Sequence, residues 1–545
     1  MARGILPSDI ASLSLTGALV LACSTLGCGP GGGVDDEAEA EGGSETETDT
    51  GGQTDELGPL ALGIDIVEVE ANQGTAVLIG QAGEWVGAEG RNAYMIRDRD
   101  TLIRLQHTVQ PGWVPREIVG VLHLRTAEGV ELEPRTRKVM IEADSDPKNL
   151  NTEFYFSIVA DEAKVGLSYW VELRETSPEF DAGEATQGVV VTPPDYAEIG
   201  YEQTTLEMKV MLVPIEYTYI DPPTTAIVTE SDLQLVADDL LQENPLQKVT
   251  LQVHEPHVYS QQITNLGQLL SPMMALRSDD GAEANLYYHA LVDVRGPSVN
   301  MVAGIAQLAG DDKSSAVSRV AATVWYKPGE QMSPGGSSGT IVHEVGHNQG
   351  FSHVYCSAAS TPAAGPDPNY PHDDGKIGVF GFGIRNFRLF TPTAAHDYMT
   401  YCGNAWVSDW TWNKAYNRIR TLTSWDYEGT AGDDPHTQPL LVGTLFEDGS
   451  EQWWAMLGPA PSAEQRSSEQ RIHVIGEGGE LLDVQYPAVS LLSDGATQMI
   501  IAPLDVPLDR LDALERVDWR GEAHAIDPTK LTLGSGVEFD RAINP

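Results

Sequence analysis

The chain has 545 residues, 41% of them hydrophobic and 21% charged, with a formal net charge of −47. At about 150 residues per domain this is roughly three domains, and the composition is globular rather than fibrous or disordered. The acidity excludes nucleic acid and anionic lipid as partners, since both require clustered Lys and Arg, and it describes a strongly hydrated surface.

Residues 1–28 read as an export signal. Ile10 to Leu26 is apolar and rich in small residues, and it is too short for a comfortable membrane span. The sequences VLAC, ending at Cys23, and TLGC, ending at Cys28, both resemble the lipobox of bacterial lipoproteins, which implies a lipidated cysteine at the mature N-terminus. Cys28 is the better candidate because a flexible spacer starts directly after it; secretion without lipid is the alternative. Residues 29–60, rich in Gly, acids, Ser and Thr, cannot bury a core and are expected to form a disordered tether. On either reading the mature chain is exported, as an outer-membrane lipoprotein, a cell-surface protein or a secreted one, and meets a membrane only through the lipid. Cys356 and Cys402 then remain as a disulfide candidate in an oxidising compartment, with free thiols as the alternative.

Residues 61–200 contain short β-branched or alternating runs such as TLIRLQ, IVGVLHLR, FYFSIV and YWVELRE, separated by Gly, Pro, Asp and Asn. They predict an Ig-like β-sandwich. Across 201–428 strands alternate with helices, predicting an α/β or α+β domain; the family resemblance given below implies the α+β form with a mixed sheet. SDLQLVADDLLQ is expected to be a helix capped by Ser231, and GQLLSPMMALRS a helix kinked or broken at Pro272. SDWTWNKAYNRIRTL predicts a helix capped by Ser408. Residues 429–545, with EQWWAML, RIHVIGE and TQMIIAPL, predict a small C-terminal β domain.

The chemistry concentrates in TIVHEVGHNQGFSHVYC, which reads His343-Glu344-x-x-His347-x-x-Gly350-x-x-His353. A helix capped by Ser337 or Ser338 puts His343 and His347 on one face, one turn apart. A third ligand ten residues on would sit about 15 Å along a straight helix, so the helix must end first. Gly350 supplies that stop through the left-handed conformation, and His353 can then return to the ion. Three histidines and one open position suit a single catalytic zinc. Glu344 would act as general base on the zinc-bound water.

This segment resembles the zinc signature of the metzincin clan of metallopeptidases. The resemblance implies a metzincin-like catalytic domain built around a zinc helix, with Met399 of HDYMTYC as the Met-turn residue beneath the histidines. It implies Tyr401, two residues on, as a further ligand or oxyanion donor; a packed aromatic near the cleft is the alternative. Trp406 would form a pocket wall by the same resemblance, or else pack as core. His396 and Asp397 read as a surface turn, with support of the zinc ligands as the alternative. If the third-ligand loop and the Met-turn converge as the clan's fold implies, Cys356 and Cys402 become neighbours and can bond.

The Pro/Gly/Asp-rich insert PDPNYPHDDGKIGVFGFG could shape the cleft or hold calcium, though it contains no complete calcium loop. The order of signal, β module and catalytic domain is similar to that of secreted bacterial metzincins, including the mucin-cleaving type. The expected function is therefore that of an exported, monomeric zinc metalloendopeptidase acting on extracellular polypeptides or glycoproteins. The alternative is a catalytically silent zinc-binding surface or adhesion protein on a peptidase scaffold.

Overall fold

The computed structural model describes residues 13–14, 57–177, 185–326, 336–359, 363–433, 437–535 and 537. Apart from Leu13–Ser14, a two-residue strand beside Lys248–Val253, the leader with Cys23 and Cys28 and the tether to residue 56 lie outside the described residues. Contacts divide the chain into two compact units. One comprises Leu15–Thr204 with Val379–Pro392, and the other Met1–Ser14, Thr205–Gly378 and Thr393–Pro545.

The first unit holds two antiparallel sheets. One orders Glu84–Trp85, Ala76–Gln81, Ile64–Asn72, Thr101–Val109 and Phe154–Ile158; the other orders Val191–Glu198, Ser168–Glu175, Arg116–Arg125 and Arg135–Ile141. They face each other: Tyr169 donates from the second sheet to the Ile79 carbonyl in the first, at 2.9 Å. Gly120 is small for a reason, since a Cβ there would come within 2.6 Å of the Phe154 side chain. A hairpin of Gly381–Gly383 and Arg388–Phe390 from the predicted insert groups with this unit, whereas the insert up to Gly378 groups with the histidine motif.

The second unit is built on a mixed sheet. Lys248–Val253, Glu207–Tyr217, Leu286–Val292 and Val320–Val324 run parallel, and Gly304–Ala306 closes the edge antiparallel to Val320–Val324. Every residue of Leu286–Val292 is buried, as a central strand covered on both faces requires. Helix α1 (Glu230–Glu243) starts two residues earlier than expected, capped by Thr229 rather than Ser231. Thr229 and Asp232 form the reciprocal capping box, in place of the Ser231 and Gln234 pair that the sequence also spaces for one. Helix α2 (Leu270–Asp279) is not broken at Pro272, which sits in the first turn where its missing N–H has no partner to lose. Helix α4 (Asp409–Tyr427) is capped by Ser408.

The strands after residue 436 form two further sheets, antiparallel except where Thr532–Leu533 runs parallel to Glu451–Pro459, and the five-stranded one shares a core with the mixed sheet. Leu440, Val442, Met456, Met499 and Ile501 pack in one cluster with Met273 and Met274 of α2 and with Met211, Val213, Ala290 and Val324 of the mixed sheet. The described late strands thus belong to the same compact unit as the mixed sheet, while Ile472, Val474, Leu514 and Ile526 pack with Leu441 and Ala502 in a second cluster.

Leu440 is fully buried in that shared cluster. Leu440→Ala should cost about 2–5 kcal/mol in denaturant unfolding of the full chain, the usual range for a leucine deleted from a close-packed core. A loss under about 0.5 kcal/mol would show that the late strands add little to the core.

Candidate metal centre

Helix α3 (Gly336–Asn348) carries His343, Glu344 and His347. The sequence reading placed Ser337 or Ser338 at its cap, but both lie inside it and do other work. Ser337 Oγ donates to the Val324 carbonyl at 3.1 Å, and Ser338 Oγ donates to Asp239 of α1. Asn348 donates to the carbonyls of Gln307 and Val320 at 2.8 and 2.9 Å. The helix is thus pinned at both ends to the sheet, which sets the height of its histidines.

The helix stops where the spacing predicts. Gly350 has φ +84°, its N–H reaches the His347 carbonyl at 2.7 Å, and the Phe351 N–H reaches the Gly346 carbonyl at 3.1 Å. These two bonds are the Schellman closure, which satisfies the last free carbonyls and turns the chain back. A Cβ on Gly350 would also meet the Ala309 carbonyl oxygen at 2.9 Å.

The turn brings the third histidine to the other two. His347 Nε2 lies 3.1 Å from His343 Nε2 and 3.2 Å from His353 Nε2. Each ring's other nitrogen faces a backbone carbonyl at 2.7 Å: His343 Nδ1 at Tyr398, His347 Nδ1 at Phe351 and His353 Nδ1 at Ala364. A carbonyl oxygen only accepts, so each Nδ1 must carry the proton, leaving each Nε2 a bare lone pair. Burial, reinforced by the neighbouring histidines, lowers the His343 pKa to about 4 and that of His347 well below the ordinary value. Burial also lowers that of His353. Three neutral imidazoles therefore present converging lone pairs, the arrangement a metal ion requires.

Glu344 is 4% exposed, and its Oε2 accepts a hydrogen bond from Ser493 Oγ at 3.2 Å. Burial pushes its carboxyl up to about 8, opposed by the Ser493 bond and reinforced by the charge of Asp494. Gly304 of the edge strand faces this side chain so closely that a Cβ there would lie 2.6 Å from Glu344 Oε1. Neither Ser493 nor Gly304 carries a local motif signal. Ser493-Asp494-Gly495 reads simply as a turn.

Met399 is buried at 1% exposure beneath α3, and a Cβ on Gly346 would lie 2.5 Å from its sulfur. Tyr401 is 43% exposed, with its ring centre 4.6 Å from that of His353 and 5.8 Å from that of His343. Burial of its hydroxyl raises the Tyr401 pKa, and the charges of Glu344 and Asp494 add to the rise. Trp406 is 2% exposed and packs as core rather than lining an open pocket.

His396 and Asp397 are not a surface turn. Asp397 is fully buried and accepts from the Met399 N–H at 2.9 Å, from the Ser408 N–H at 3.2 Å and from Thr411 Oγ1 at 2.7 Å. One carboxylate thereby holds the turn bearing Tyr398 and Met399 against the start of α4. His396 is 8% exposed and reaches the Gly403 carbonyl and Lys376.

A disulfide joins Cys356 to Cys402, with Cα atoms 6.3 Å apart, tying the loop after His353 to the turn after Met399. Two acids of the insert are engaged within the chain: Asp367 pairs with Lys414 at 2.9 Å and Asp374 accepts from the Ser357 N–H at 2.6 Å. Asp518, Glu522 and His524 form a second group with ligand-type atoms close together, unforeseen from the sequence; Asp518 Oδ1 there caps the turn by accepting from the Arg520 and Glu522 N–H groups.

Two outcomes follow from this geometry. Gly350→Ala should cost more than about 1 kcal/mol, because the left-handed backbone strains any side chain, and it should weaken metal retention on dialysis. Unchanged melting temperature and metal content would refute the turn's role. Cys356→Ser/Cys402→Ser should cost up to about 4 kcal/mol in unfolding, the chain-entropy value for a loop of this length. Non-reducing peptide mapping should recover the two cysteine peptides as one linked species.

No family model matches the chain, and no curated protein matches it. Among solved structures, a Paenibacillus cycloisomaltooligosaccharide glucanotransferase complexed with cycloisomaltoheptaose aligns over 42% of this chain and 28% of its own, at 11% identity and a TM-score of 0.15. A putative beta-galactosidase from Bacteroides fragilis aligns over 85% of this chain and 72% of its own, at 9% identity and a TM-score of 0.14. The chain thus spans less than a third of the length of the first, and both likenesses are too slight to carry an argument about fold or activity.

Proposed function

We propose that the protein is an exported, zinc-dependent metalloendopeptidase of metzincin type, with His343, His347 and His353 holding the ion through Nε2. The observation that carries this reading is the convergence of three bare Nε2 atoms at 3.1–3.2 Å, with every Nδ1 proton directed to a carbonyl. Tetrahedral coordination with Zn–N bonds of about 2.0–2.1 Å separates neighbouring nitrogens by roughly 3.3 Å, so the donor set fits zinc. When bound, zinc supplies Lewis acidity, polarising a carbonyl and lowering the pKa of water toward ~7.

The chain's own residues supply the rest. Glu344 is next to the first ligand and is buried with the histidines. Burial holds this carboxyl at about 8 in the metal-free protein, and the charge of a bound ion would favour its ionised form; ionised, it takes a proton during attack on the peptide carbonyl and returns it to the leaving amine. A silent zinc protein would have no use for a buried carboxylate in that place, where it costs desolvation. Tyr401, half-exposed beside His343 and His353, is placed to donate to a substrate oxygen. The Cys356–Cys402 disulfide supports export, because such bonds persist in oxidising compartments. No helix among the described residues is long and apolar enough to cross a membrane. Lipidation at Cys28, or at Cys23, remains part of the proposal.

Wild type should contain one zinc and cleave casein or mucin, and a strong chelator should abolish the cleavage until zinc is restored. Glu344→Ala should keep the zinc and lose at least about 100-fold in kcat, at the low end of what a general base contributes. His347→Ala should lose the zinc itself. A wild type that binds one zinc but leaves every polypeptide intact would instead establish the non-catalytic binding reading.

A further inference from the structure

We propose that Ser493, from the late β region, is the residue that positions the general base Glu344; this rests on the hydrolase reading above. The two lie 149 positions apart in the chain, yet Ser493 Oγ is 3.2 Å from Glu344 Oε2. The Ser493 hydroxyl is itself held by a third group. The Ala306 N–H donates to Ser493 Oγ at 3.0 Å, and the Ser493 N–H donates to the Ala306 carbonyl at 3.0 Å. The hydroxyl has one proton. An ionised Glu344 carboxylate can only accept, so that proton goes to Glu344.

Ser493 is held firmly enough for this work. Leu492 before it is 2% exposed in the shared core and bridges Gln307 of the edge region. Asp494 after it closes the turn, accepting from the N–H groups of Ala496 and Thr497 at 3.0 and 2.9 Å and from Thr497 Oγ1 at 2.6 Å. Ser493 itself is 6% exposed. The Glu344 carboxylate is therefore confined from two sides, by the Ser493 hydroxyl at Oε2 and by the close approach of Gly304 at Oε1. A glutamate carboxylate sits at the end of several rotatable bonds, and proton transfer demands hydrogen-bond reach at the moment of reaction. A donor locked to the sheet edge removes that freedom. The late β region thus completes the active centre rather than serving only as an accessory module.

The test compares full-length wild type, Ser493→Ala and Ser493→Thr on the same polypeptide substrate, with zinc content and circular dichroism for each. Ser493→Ala should lower kcat by about 10- to 100-fold, the loss expected for one hydrogen bond to a charged group, with KM within about twofold and zinc retained. Ser493→Thr keeps the hydroxyl and should recover most of the rate. If Ser493→Ala turns over like wild type, the positioning role is overturned and the hydrolase reading stands. If both variants lose zinc and activity alike, Ser493 is a structural residue, which also overturns it. A wild type inert on all polypeptides removes the hydrolase reading and this assignment together.

Discussion

Three imidazole lone pairs pointed at one place repel each other, and the rest of the second unit is arranged to hold them there. The Nδ1 protons of His343, His347 and His353 are each drawn to a backbone carbonyl, at Tyr398, Phe351 and Ala364. Those carbonyls come from three different segments, none of which is long regular secondary structure. Each must be fixed by something else. The Schellman turn at Gly350 fixes Phe351, the buried Asp397 fixes the Tyr398 turn, and the Cys356–Cys402 bond ties that turn to the loop after His353. Burial keeps the rings neutral, so the site is poised for a cation before one arrives.

The parts of this centre that depend on spacing were legible in the sequence. An i,i+4 pair on a helix, a glycine stop and a third histidine beyond it form a local pattern with a geometric reason at each position. Met399 was reached only through resemblance; the Cys356–Cys402 pair followed from export and the cysteine count, and resemblance added only that the two segments converge. The parts that depend on tertiary contact left no trace. Ser337 and Ser338 look like caps because serine before an apolar run usually is one, but here the sheet and α1 compete for their hydroxyls. Asp397 looked like a surface turn residue because nothing local announces that Ser408 and Thr411 will converge on it.

The late β strands show the same limit on a larger scale. Alternating apolar runs after residue 436 predict strands correctly, yet periodicity reports only that one face is buried, not what buries it. Leu440, Val442 and Met499 look like the core of an independent domain in sequence. In the structure they fall in one cluster with Met273 and Met274 of α2 and with residues of the mixed sheet. Composition cannot separate these cases, because both place the same residues inside. The contact with Glu344 depends on this packing, since Leu492 enters the core one residue before Ser493 meets the edge strand.

A site assembled this way couples metal binding to the stability of the whole unit. Neutral imidazoles desolvated and crowded together cost free energy in the metal-free protein, and the bound ion offsets that cost. The offset is available only while the carbonyls at Tyr398, Phe351 and Ala364 hold their places, and two of the three lie on the segments joined by the disulfide. If the histidines hold an ion, packing lost far from them, in the late strands, would lower its affinity by the route through which the ion would raise the melting temperature. Linkage makes these one free energy observed from two ends. A local motif of eleven residues thus depends on contacts spread over more than two hundred, which is why HExxHxxGxxH locates the centre in the sequence but does not describe what maintains it.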